Sequence, residues 1–138
     1  MKQEDKQLLL QNLCEMLPYG VCVHIIYKTR KPCYRKLTPR DIQWFIDSKI
    51  ENIKPYLRPM SSMTEKEYDT FPIPYSFDSF STWNNTILSE VVEGTQILIG
   101  IDDITEIIDW LNAHYFDYRG MIEKGLALEA LDGMYKID

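Results

Sequence analysis

The chain has 138 residues, enough for one domain of ordinary size to bury a core without disulfide or metal staples. Hydrophobic residues make up 45% and aromatics 12%, which excludes a disordered chain, and the longest apolar runs, such as Ile97–Ile99, are far too short to span a bilayer. The net charge of −6 is unevenly spread: residues 1–77 carry 12 Lys/Arg against 9 Asp/Glu, residues 78–138 carry 3 against 12, and six of the 15 cations lie between Lys28 and Arg40, where there is no acid. The acidic half disfavours nucleic acid and bare membrane as partners, while the basic segment can meet a phosphate or an acidic partner.

The opening, MKQEDKQLLLQNLCEML, carries acids early and lacks the basic, apolar and small-residue regions of a secretory signal, so a cytoplasmic protein is expected. Residues 3–17 read as an amphipathic helix, with Leu9, Leu10, Leu13, Met16 and Leu17 at helical spacing and Pro18 and Gly20 stopping the run. GVCVHIIY follows as a strand with Val21, Val23 and Ile25 on one face, and KTRKP turns the chain so that CYRKL returns as a second arm. In LTPRDIQWFIDSKI, Thr38 is placed as an N-cap, Pro39 at the first helical position and Asp41 three residues after the cap, which predicts a short helix. A strand through IQWFI is the rival.

Pro55 and Pro59 push their preceding residues out of helical geometry, so IKPYLRP is expected to be an extended, rigid elbow. Ser62 or Thr64 then caps a short helix over TEKE. FPIPYSFDSFSTWNN reads as an irregular packed segment, and TILSEVV-EG-TQILIGI as a hairpin in which Ile97, Ile99 and Ile101 favour strand. DDITEIIDWLNAHYF is the clearest helix, with Asp103 as its cap and Ile104, Ile107, Ile108, Leu111 and Tyr115 on one face. Gly120 and Gly125 break the tail, and LALEAL adds a short last strand. The sum is a single α+β domain over residues 1–138: a small antiparallel sheet of two hairpins and a short C-terminal strand, with three to four helices on one face.

Little of this carries recognisable chemistry. Cys14, Cys22 and Cys33 are odd in number and have no CxxC spacing, so they read as reduced, mostly buried thiols. The only histidines, His24 and His114, belong to no metal-ligand pattern, and neither a metal nor a cofactor is expected. Cys22 and His24 share a strand face, where a buried thiol beside a packed imidazole is a plainer reading than a thiolate pair. The glycines form no phosphate-binding loop. KTRKPCYRKLTPR, with Tyr27 and Tyr34, is the one feature suited to a phosphate chain, and a solvated hairpin turn is its plainer reading. AHYFDYRG sets His114, Asp117, Tyr118 and Arg119 close together at a helix end, a composition able to recognise a polar ligand or run acid–base chemistry. The structural alternative there is that Arg119 answers Asp117 while Tyr115 and Phe116 enter the core.

The blocks LCEMLPYGV, IKPYLRPMSSMTEKE and DWLNAHYFDYRGMIEKGLALEA…GMYK resemble the recurring blocks of a family of short uncharacterised proteins. That family is carried by phages, prophages and mobile elements of Bacteroides-type bacteria. The blocks cover about half the chain and omit residues 27–50 and 70–100. The resemblance implies a bacterial cytosol and an accessory role in phage or mobile-element biology, and it implies no activity. The expected function is a non-enzymatic protein-interaction module with a host or phage protein as partner. The candidate binding residues are Lys54, Tyr56, Arg58, His114, Asp117, Tyr118 and Arg119. A sequestering protein for a small anionic ligand, such as a nucleotide signal, is the alternative; nucleic acid and membrane are disfavoured.

Overall fold

The computed structural model describes residues 2–70 and 101–135. The chain divides into two compact units, Met1–Leu57 with Met121–Asp138, and Arg58–Gly120. Among the described residues the architecture is α+β, a four-stranded sheet with four α-helices.

In the first unit, helix α1 (Gln3–Met16) leads through a short 3-10 turn, Leu17–Tyr19, to the left-handed Gly20. Strand β1 (Cys22–Tyr27) and strand β2 (Cys33–Lys36) form the expected antiparallel hairpin, with His24 opposite Tyr34 and Cys22 opposite Lys36. Helix α2 (Pro39–Ile46) has the predicted Thr38 capping box with Asp41 and Pro39 in its first turn, so the strand rival falls away. The helix ends on a Schellman turn: Ser48 N–H donates to the Phe45 carbonyl, Lys49 N–H to the Trp44 carbonyl, and Ser48 takes φ +58°.

The expected elbow proves to be a complete strand, β3 (Ile50–Leu57), lying between β1 and the two-residue strand β4 (Leu128–Glu129). β3 tolerates Pro55 for a reason that the register supplies. Pro55 faces Val23, whose own backbone groups are directed to β2, so the missing N–H points away from β1. Pairing with β4 begins only one residue later, at Tyr56. The β3–β4 pair is parallel, so the sheet is not wholly antiparallel as expected. Where β1 and β3 part, the Tyr135 hydroxyl accepts from Cys22 N–H (2.9 Å) and donates to the Tyr56 carbonyl (2.7 Å), closing the ladder through one oxygen.

Alternation sorts this sheet into two faces. Val21, Val23, Ile25, Ile53 and Leu57 are fully buried, together with Leu9, Leu13 and Met16 of α1. Cys22, His24, Ile26, Asn52, Lys54 and Tyr56 occupy the opposite face and are half-buried. The cysteines depart from expectation: Cys14 is exposed, and Cys22 and Cys33 are only half-buried, because neither strand cysteine lies on the core side at the sheet's centre.

In the second unit, Arg58 forms an isolated parallel bridge with Phe116. A 3-10 turn at Met60–Ser62 follows, then helix α3 (Glu65–Asp69). Thr64 rather than Ser62 caps α3, in a reciprocal box with Glu67; the Ser62 hydroxyl donates instead to the Pro59 carbonyl. Helix α4 (Ile101–Ala113) differs from expectation at both ends. Ile101 lies in this helix rather than a strand, and Asp103 lies inside its first turn instead of capping it. Tyr115 is not on the helical face, because the helix closes at Ala113 in a second Schellman turn, with Tyr115 N–H on the Asn112 carbonyl, Phe116 N–H on the Leu111 carbonyl and Tyr115 at φ +64°. Among the described residues of this unit, Met60, Met63, Ile107, Leu111, Phe116 and Tyr118 are apolar and buried. The expected irregular segment at 71–85 and the rest of the expected hairpin at 86–100 lie outside the described residues.

Candidate functional site

The candidate residues fall in two places, one in each unit. Lys54 and Tyr56 stand on the half-buried outer face of the sheet. Lys54 lies opposite His24, and His24 opposite Tyr34, so the three form a row across three strands. Tyr34 is 61% exposed, and its ring meets that of Tyr56 edge-on at 5.9 Å. Their strands are separated by β1, so the two rings lean together above it. Lys36 completes the cationic side, and the bulge in β3 breaks the alternation beside Asn52, where Glu51 is exposed. Tyr34 lies outside the seven candidate binding residues but inside the basic segment that the sequence marks as suited to a phosphate chain.

The hairpin's base is locked from the other side. Asp41, only 1% exposed, receives both terminal nitrogens of Arg35, at 2.6 and 2.8 Å, as well as Thr38 N–H and Oγ1–H, each at 2.9 Å. The Tyr27 hydroxyl and the Asp41 carboxylate raise the guanidinium's pKa beyond its ordinary value. Asp41 makes the shorter contacts, against 3.4 Å to Tyr27. Arg30 lies over the rings of Tyr27 (4.9 Å) and Trp44 (5.8 Å), and Arg40 over Trp44 (5.9 Å). Of the six cations between 28 and 40, Arg35 is thus neutralised internally, while Lys28, Arg30, Lys31, Lys36 and Arg40 are exposed.

The second place is built around Arg58. Its backbone N–H donates to the Tyr115 carbonyl (2.7 Å) and its carbonyl accepts from Asp117 N–H (2.8 Å), so the two sequence blocks meet here. The side chain grips both Glu67 oxygens at 2.6 and 2.7 Å and donates to the carbonyls of His114 and Ser62, each at 3.3 Å. The guanidinium also lies 4.2 Å from the centre of the Phe116 ring. Burial alone pushes the Glu67 carboxyl up, but Arg58 and the Thr64 N–H outweigh it and hold the pKa below the ordinary 4.5. His114 donates from Nδ1 to the Trp110 carbonyl (2.8 Å) and stacks on the Trp110 ring at 3.9 Å, with Phe116 nearly parallel to Trp110 at 5.9 Å. Tyr118 is buried, Arg119 lies over its ring at 4.8 Å, and Asp117 and Arg119 are half-buried.

Chemically, this second place is a joint whose central cation and central imidazole already have internal partners. The sheet face instead presents aromatic and cationic groups to solvent. Among the described residues no three His, Cys, Asp or Glu side chains are grouped to hold a metal ion, and no helix is long and apolar enough to cross a membrane. Compared with known proteins, the chain matches no family model, no curated protein and no solved structure.

Proposed function

We propose that the protein is a non-enzymatic interaction module, cytoplasmic and of phage or mobile-element type, that recognises a protein partner through the outer face of its sheet. The observation that carries this reading is Tyr34, 61% exposed and edge-on to Tyr56 on a face that bears Lys36, Lys54 and His24. Tyrosine is among the residues enriched at binding hot spots. Lys54 and Tyr56 therefore remain binding residues, whereas Arg58 serves to hold the 58–67 and 114–117 segments together.

The test is affinity capture from the bacterial cytosol with wild type, Tyr34→Ala and Lys54→Ala, each shown to be folded by circular dichroism. A protein retained by wild type and lost by both variants is the expected result; a partner held equally by all three overturns the assignment. The second reading, sequestration of a small anionic ligand, draws on the cross-strand row of Tyr34, His24 and Lys54, which offers a ring to stack on and a cation beside it. Native mass spectrometry of gently purified protein separates the two. A retained nucleotide-sized mass that disappears in Lys54→Ala favours the ligand.

A further inference from the structure

β2 ends the sheet among the described residues, and the register states what its outer edge offers. Leu37 N–H donates to the Val21 carbonyl at 2.9 Å, so in this antiparallel pair Arg35 and Cys33 are the next residues to exchange backbone bonds with β1. Tyr34 and Lys36, which alternate with them, turn their N–H and C=O groups away from β1. Among the described residues, neither group meets a partner. An unpaired edge of this kind is a template for another strand. Its side chains set the terms: Tyr34 and Lys36 are exposed on one face, and Lys28, Arg30 and Lys31 are exposed at the turn just before it. Arg35 cannot contribute a free charge, since Asp41 already holds it. The same cations disfavour a second copy of β2, which would set Lys36 and its neighbours against like charges.

We infer that the edge of β2 takes up an acidic, extended peptide segment of a partner protein as a fifth strand. Backbone bonds from Tyr34 and Lys36 supply the register. A carboxylate of the incoming strand lies beside Lys36, an apolar side chain beside Tyr34, and further acids meet Lys28, Arg30 and Lys31. This deepens the reading of the chain as a protein-interaction module and rests on it.

The test uses the whole chain and a short fluorescent peptide rich in glutamate and valine, read by anisotropy. Lys36 allows a clean dissection, because its N–H faces outward and proline is accommodated at such a position without breaking the β1 ladder. Lys36→Ala removes the charge and keeps the N–H; Lys36→Pro removes both. The expected result is binding that weakens several-fold in Lys36→Ala and about two- to tenfold further in Lys36→Pro, the range that loss of one backbone hydrogen bond gives. Proline substituted into the peptide should abolish binding in the same way. Equal affinity of Lys36→Ala and Lys36→Pro overturns strand addition, as does a wild-type chain that ignores the peptide. Tight binding of a single-stranded oligonucleotide that displaces the peptide would reassign the edge to a phosphate chain. If the partner captured in the preceding test is lost by Tyr34→Ala but kept by Lys36→Pro, strand addition fails while the interaction module stands; if both variants keep it, both readings fail.

Discussion

Arg58 looked like a ligand-binding cation in the sequence because it sits between prolines and beside hydroxyls, with no acid adjacent. Its acid lies nine residues away at Glu67, and both terminal nitrogens are committed to internal oxygens. With side-chain exposures of 15% and 12%, the pair is mostly withdrawn from water, so removing one partner strands the other. Arg58→Ala should lower unfolding free energy by about 2 kcal/mol, and Arg58→Lys should recover less than half of that, since an ammonium cannot reproduce the fork. Urea denaturation of the three proteins measures both effects. Glu67 adds a pH signature. Its pKa is lower folded than unfolded, so the ion pair stabilises the protein above the ordinary value of 4.5, and that contribution disappears as pH falls through the folded pKa. Urea midpoints followed downward from pH 6 should therefore fall more steeply below about pH 4.5 in wild type than in Glu67→Gln.

At the scale of elements, ends proved harder to place than interiors. The capping box at Thr38 was legible because Thr, Pro and Asp stand at fixed offsets and act on one another within a single turn. The stops of α2 and α4 were not, because both Schellman turns use a residue other than glycine in the left-handed region, Ser48 at φ +58° and Tyr115 at φ +64°. Tyr115 therefore read as one more apolar position on a helix that had already ended. Ser48 is exposed, and its strain can be relieved without loss of packing. Ser48→Gly should stabilise the protein by about 0.5–1 kcal/mol, against the usual penalty for introducing glycine, and thermal unfolding would show it as a higher midpoint. β3 escaped notice for a related reason. Two prolines argue against a central strand until the register shows that Pro55 points its missing donor away from β1.

For the molecule as a whole, a net charge of −6 conceals a basic hairpin on which, among the described residues, Arg35 alone is matched by a buried acid. A partner recognised through Lys36, Lys54 and the turn cations should be held by charges largely exposed to solvent. Raising salt to about 1 M, where screening acts over about 3 Å rather than about 8 Å, should then weaken the association several-fold. An affinity unchanged across that range, read in the same anisotropy titration, would place the contact on apolar surface instead.

The sequence by itself determined the α+β class, the β1–β2 hairpin, the cap of α2 and the short C-terminal strand. Each depends on alternation or on side chains acting within a few residues of one another. It also marked the elbow and the HYFDYRG turn as blocks worth attention, and these do meet, through Arg58 and Phe116. Only the tertiary structure decided which candidates are exposed and which have internal partners. Whether an arginine is available to a ligand depends on acceptors brought from distant positions, such as the His114 carbonyl reached by Arg58 across 56 residues. Whether a tyrosine is exposed depends on which face of the sheet its strand turns outward, as for Tyr34. Alternation gives that face only relative to its neighbours; the register against β1, whose Val23 and Ile25 are buried on the opposite face, fixes it.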